Sequence, residues 1–151
     1  MAFEPDILVT SADGPEVLLV AETKWHDEDV SNAESQLKAY MAGMGSPIGL
    51  LVTPTRLRIY RDRYVTPPEK SIELIGEFDV RQLFGSHSEQ TGRNAAFSFE
   101  NDVQDWLESL AWETARDELS PELRQAAEAN IRPAISQGII RAAHPRSVLS
   151  A

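Results

Sequence analysis

Two carboxylates and an amine stand out by their spacing: Asp6, preceded by Pro5, and the pair Glu22 and Lys24 on either side of Thr23. Glu22 and Lys24 are two residues apart, so on an extended strand both project from one face, about 7 Å apart along the chain. Two carboxylates with a backbone carbonyl, here that of Thr23, make a hard oxygen site suited to Mg²⁺, with Mn²⁺ as a substitute. An ion held there polarises a phosphoryl oxygen and activates water. An ammonium beside it orients that water and offsets charge built up in the transition state. The alternative is an ordinary hairpin end whose charges are solvated.

The elements that must bring these groups together are legible. Residues 5–10 and 16–22 are rich in β-branched and apolar residues, and Ser11-Ala12-Asp13-Gly14-Pro15 between them supplies a turn. With Asp13-Gly14 as the turn, Asp6 faces Ala21; a bulge or a loop one residue longer sets it opposite Glu22. Ser31 and Glu34 have the spacing of a capping box, which predicts a helix to about Met44 with Ala33, Leu37, Tyr40, Met41 and Met44 on its buried stripe. Gln36 is read on the same stripe, where an amide without partners costs about 1–3 kcal/mol. Residues 48–53 read as a fully buried strand and residues 57–61 as an alternating one.

In this order (Pro5-Asp6 on a strand, Glu22-Thr23-Lys24 on the next, Gln36 and Tyr40 on a helix, then two strands) the chain resembles the PD-(D/E)XK nuclease superfamily. Within it the pattern is most similar to the nuclease domain of type I restriction subunits and to RecB-like nucleases. The resemblance covers about residues 3–62. It implies a restriction-endonuclease-like α/β core, a mixed central sheet with flanking helices, here followed by a C-terminal helical extension. It also implies Asp6 and Glu22 as metal ligands together with the Thr23 carbonyl, and Lys24 as the catalytic lysine. Gln36 and Tyr40 would line the site and help place the DNA backbone or the lysine. Members of the superfamily carry a helix before the first of these strands, often with a further acid directed at the metal. Only four residues precede Pro5, so that element is expected from the C-terminal helices or another subunit, unless this is a trimmed member. Glu4 shares the parity of Asp6, and His26 that of Glu22 and Lys24; both are candidates for a supporting role around the site.

Composition sets the outer limits. A chain of 151 residues without cysteine has neither a disulfide framework nor a thiolate metal site, and its three histidines are scattered. It shows no signal-like leader and no long apolar run, and it reads as soluble and cytoplasmic, with no membrane association. The net charge of −10 disfavours strong unaided binding to nucleic acid, which draws much of its affinity from neutralised phosphates. Arg56, Arg58, Arg61 and Arg63 nevertheless form a basic cluster, and Arg56, Arg58 and Tyr60 alternate onto one strand face. That face is either a phosphate contact or an edge strand protected by charge.

The second half divides differently. Residues 71–78 read as a strand, 79–84 as a short helical turn, and 85–94 as a loop or hinge. A helix is expected over 101–119, a second from Pro121 to about Ile131 capped by Ser120, and a third piece over 134–143 after a kink at Pro133. The expected organisation is a core over 1–84, a loop over 85–98 and a helical extension over 99–144. Trp106 and Trp112 are six apart and cannot share one helix face, so one of them is a candidate for an intermolecular contact. The expected function is metal-dependent hydrolysis of DNA, with RNA a further substrate class, in a restriction, defence or repair setting. A homodimer is the expected assembly, with subunits of such a system as further partners. The competing expectation is a catalytically inactive binding or assembly subunit that keeps the fold.

Overall fold

The structure, a computed structural model, describes residues 5–26, 30–67, 70–84 and 92–143, with the backbone alone at 92–94. Glu4, Asp27, Glu28, Asp29 and most of the 85–94 loop lie outside the described residues.

Alternating apolar residues build the first hairpin. β1 (Ile7–Ser11) and β2 (Val17–Thr23) pair antiparallel, with Ile7 against Ala21 and Val9 against Leu19. A bulge between Val9 and Thr10 shifts the register so that Thr10 meets Val17. α1 (Val30–Met44) then crosses to β3 (Ile48–Val52), which lies parallel to β2 and is buried at every position, as a strand covered on both faces must be. β4 (Arg56–Asp62) and β5 (Ile72–Asp79) continue antiparallel from β3.

Helix α1 buries Ala33, Leu37 and Met41 against Val20, Leu51, Tyr60 and Ile72 on one face of the sheet. Gly49 admits this close approach, since a Cβ there would lie 2.4 Å from Met41 Sδ. Gly45, at φ +69°, ends the helix in the left-handed conformation that glycine adopts without strain. The buried stripe is narrower than expected. Gln36 is exposed, as is Met44 at 52 %. Gln36 lies about 100° around the helix from Leu37, far enough to leave the covered sector. Because α1 starts at Val30, Ser31 falls inside the first turn and the expected capping box does not form.

The opposite face is covered by the second half of the chain. After α2 (Arg81–Phe84), α3 (Gly92–Ser109) sets Ala95, Phe99, Val103 and Leu107 into a core with Leu19, Ala21, Leu50, Val52, Leu57 and Ile59. It begins within the stretch read as loop and stops ten residues short of Leu119, where α4 (Glu113–Asp117) is a separate turn. α5 (Pro121–Ala126) has the expected start: Leu123 N–H donates to Ser120 Oγ at 3.4 Å, with Pro121 in the first position. A wide π-helical turn (Ala127–Ile131) leads into α6 (Arg132–Gln137), and Pro133, which has no N–H to donate, sits directly after that widened turn.

The chain ends its described part in β6 (Gly138–Ala142), antiparallel to β1 along Ile7 to Ser11. Of the helix expected over 134–143, residues 134–137 are helical in α6, and residues 138–142 are corrected to strand. Ile139 and Ile140 are β-branched and favour a strand, and pairing with the free edge of β1 fixes it. The result is a mixed six-stranded sheet in the order β5-β4-β3-β2-β1-β6, with helices on both faces. No helix among the described residues is long and apolar enough to cross a membrane.

Candidate active site

The bulge in β1 decides which residues meet. Beyond it the pairs run Val9 with Leu19, Leu8 with Val20 and Ile7 with Ala21, and Asp6, just before β1, keeps its backbone on Ala21 while its carboxylate reaches Thr23 and Glu22. Asp6 N–H still donates to Ala21 C=O at 3.2 Å, and Lys24 N–H to Val52 C=O at 2.9 Å, so both ends of the cluster are tied to the sheet.

Both acids are buried, Asp6 at 8 % and Glu22 at 5 % exposure. Asp6 Oδ2 accepts two hydrogen bonds from Thr23, one from the backbone N–H and one from the side-chain hydroxyl, each 2.8 Å. Thr23 therefore does more than space Glu22 from Lys24: its hydroxyl and amide fix the Asp6 carboxylate. Sequence spacing carries no sign of this hydroxyl contact. Lys24 Nζ lies 3.7 Å from Glu22 Oε2. Glu22 Oε1 is buried with no hydrogen-bond partner among the described residues.

Burial, first, pushes the Glu22 carboxyl up to about 9; a hydrogen bond to the Asp6 carboxyl and the Asp6 charge add to this, and Lys24 offsets part of it. A smaller push comes from Glu100 on α3, itself buried at 7 % exposure. Glu100 went unrecognised in the sequence because the expected helix began one residue after it. A signal was present: Phe99, Val103 and Leu107 recur at helical spacing, which places Glu100 beside the buried stripe. The position of α3 is set by Trp25, just past Lys24, whose ring packs 5.6 Å from that of Phe99.

The remaining candidates are distributed around this cluster. Gln36 is exposed and makes no hydrogen bond to Asp6, Glu22 or Lys24 among the described residues. Tyr40 is half-buried and packs against the core under α1, where burial raises its phenol above the ordinary range. His26 is exposed beyond the end of β2, so the strand parity that aligned it with Glu22 and Lys24 lapses before reaching it. Among the described residues, no three Asp, Glu, His or Cys side chains are gathered closely enough to hold one ion by themselves.

The arginine cluster separates across the two faces of β4. Arg61 turns to the α3 side, where Nη2 donates to Asn130 Oδ1 at 2.8 Å, and Arg63 pairs with Glu73. Arg58 lies on the α1 face, with Nε 2.5 Å from Glu77 Oε2 and Nη1 3.3 Å from Glu34 Oε2. Glu34 also accepts a hydrogen bond from the buried Tyr60 hydroxyl. Tyr60 is thus a packing ring and not a stacking surface. Arg56 is exposed and forms no ion pair among the described residues.

Compared with known proteins, the chain matches no family model, no curated protein and no solved structure.

Proposed function

We propose that the chain is a metal-dependent nuclease of the PD-(D/E)XK type, with Asp6, Glu22 and Lys24 as its catalytic centre. The observation that carries this reading is the meeting of two buried carboxylates and one lysine at the end of the β1–β2 pair, with a buried Glu22 oxygen left without a partner. Such a pair holds a proton near neutral pH in the absence of a cation, and a divalent ion answers both the unmet charge and the orphaned oxygen.

The residues fit Mg²⁺ or Mn²⁺. Asp6, Glu22 and the Thr23 carbonyl would hold the ion, and Mg²⁺ keeps several waters, so two carboxylates suffice. The chemistry it supplies when bound is polarisation of a phosphoryl oxygen and activation of water. The chain's own part is positional. Thr23 fixes Asp6, Asp6 and Glu22 present a fixed negative pair, and Lys24 orients the attacking water or takes its proton. The water oxygen bonds to phosphorus, one P–O ester bond breaks, and the leaving oxygen is protonated, giving a phosphate monoester and an alcohol. α3 brings the buried Glu100 close enough to the cluster for its charge to act on Glu22.

The test is incubation of the full chain with single- and double-stranded DNA and with RNA, each with Mg²⁺, Mn²⁺ or chelator. Metal at about 100 times its Kd is expected to stabilise the fold by about 2.7 kcal/mol, a rise of about 5–10 °C in Tm for a chain of this size. Asp6→Ala should remove both the rise and the cleavage. A Tm indifferent to either metal, together with intact nucleic acid, rejects the enzyme and leaves the inactive binding subunit.

Assembly as a homodimer belongs to the same reading. A net charge of −10 leaves one copy little surface for a duplex, and a two-fold pair presents two sites to two strands. Trp106 packs edge-on to Phe84 at 5.8 Å, whereas Trp112 is 69 % exposed and free for the contact. Light scattering should give a dimer mass for the wild-type chain and a monomer mass for Trp112→Ala. A monomeric wild-type chain at high concentration, unchanged by DNA and metal, rules the dimer out.

A further inference from the structure

The register of the sheet places a second set of groups beside the acid pair. On the α1 face, Glu22 is aligned with Leu51, Leu51 with Arg58, and Arg58 with Glu77, one row across four strands. The next row toward the end of the sheet runs from Lys24 through Thr53 and Arg56 to Asp79, tied by Lys24 N–H to Val52 C=O and by Thr53 N–H to Arg56 C=O, both 2.9 Å. Adjacent strands are about 4.8 Å apart, so the Arg56 backbone is about 10 Å from that of Lys24.

A cavity of about 340 Å³ opens on this face, lined by Val30, Thr53, Thr55, Arg56, Arg58 and Glu77 among others. Its two arginines are not equivalent. Arg58 is neutralised on both sides, by Glu77 and by Glu34, and serves as wall. Arg56 is exposed and forms no ion pair among the described residues; its cross-strand partner Asp79 feels its charge but is bonded to Arg81, so the Arg56 guanidinium is left open to the cavity. Thr53 Oγ1 accepts the N–H of Arg56 at 3.0 Å and that of Thr55 at 3.4 Å, which holds the loop in place and leaves the Thr53 hydroxyl proton for a ligand. Val30, the first residue of α1, brings the positive end of a 15-residue helix to the same cavity.

We propose that this cavity is a phosphate subsite: Arg56, with the Thr53 hydroxyl, holds a phosphate of the nucleic acid a few nucleotides from the bond that is cut. The inference rests on the nuclease reading and deepens it. An acidic chain with an exposed arginine outside any ion pair near its catalytic carboxylates grips the backbone at that point and so sets which bond reaches Lys24. The phosphate is either an internal diester or a terminal monoester; both present the same anionic oxygens to a guanidinium.

The experiment measures binding of labelled oligonucleotides and of inorganic phosphate by the full chain, without divalent metal, at several salt concentrations. Arg56→Ala and Arg56→Glu are expected to weaken oligonucleotide binding and to lower the slope of log affinity against log salt by about 0.7–0.9, the share of one phosphate contact. Arg56→Lys should recover most of the affinity, and the metal-induced rise in Tm should be the same in all three variants as in wild type. An oligonucleotide lacking its terminal phosphate, and one with a neutral methylphosphonate at a single internal position, separate the two sources. Weaker binding of either supports the subsite and names its source. Equal binding of both, or an Arg56→Ala chain with wild-type affinity and slope, overturns it. If phosphate binding depends on Arg56 while no metal response or cleavage exists, the anion site stands and the nuclease reading fails. If metal response and cleavage exist and Arg56 is silent, the reverse holds.

Discussion

Lys24→Ala is expected to lower metal-dependent cleavage by about 10²–10⁴-fold while keeping the metal-induced rise in Tm. The Lys24 side chain is one-third exposed, and its amine lies 3.7 Å from Glu22 Oε2, so it touches the acid pair and still reaches solvent, where a substrate phosphate and the attacking water arrive. Metal binding draws on the carboxylates and survives the loss of the amine. The variant also removes the one cation that holds the Glu22 proton affinity down, so its metal response should need a somewhat higher pH than that of wild type. Lys24→Met, which keeps the apolar stem, should behave like alanine and separate loss of charge from loss of packing. Cleavage at the wild-type rate by either variant, measured at saturating metal, removes Lys24 from the mechanism.

The first half of the chain was legible because its signals are local. Strand alternation, the turn at Asp13-Gly14 and the spacing of Glu22 and Lys24 bring the acids to the same end of one hairpin from sequence alone. The bulge between Val9 and Thr10 shifts the register of the whole hairpin end, and no residue there announces it. The site's support is not local. The Thr23 hydroxyl bond to Asp6 depends on side-chain rotamers, and the tilted packing of Trp25 on Phe99 and the effect of Glu100 on Glu22 depend on where α3 lands. β6 is a similar case: two β-branched residues are too short a signal alone, and the strand forms by pairing with β1, more than 120 residues earlier in the chain. Gln36 shows the converse error. Its helical spacing was right to within a turn, but burial falls off sharply with angle around a helix, and 100° separates a core position from an exposed one.

The second large effect is on stability against pH. Glu22 titrates near the ordinary carboxylate value of 4.5 when the chain is unfolded and near 9 when it is folded without metal. Between those values the folded state binds the extra proton, so stability without metal falls as pH rises from about 4.5 to about 9, by at most about 1.4 kcal/mol per pH unit. Glu22→Gln removes the ionisation and keeps the size. It should therefore be more stable than wild type at pH 8 by on the order of 1–3 kcal/mol, about 2–4 °C per kcal/mol, with a flatter profile toward alkaline pH. Metal reverses the sign for wild type alone. Binding needs the ionised pair and expels the proton, so the metal-induced rise in Tm should grow with pH up to about 9 in wild type and be absent from Glu22→Gln. Thermal melts of both chains from pH 5 to pH 9, with Mg²⁺ and with chelator, read all of this at once. A wild-type chain that grows more stable toward pH 9 without metal relative to Glu22→Gln, or a metal response indifferent to pH, would show that Glu22 ionises like a surface carboxylate. In that case the acid pair would be no more than a solvated hairpin end.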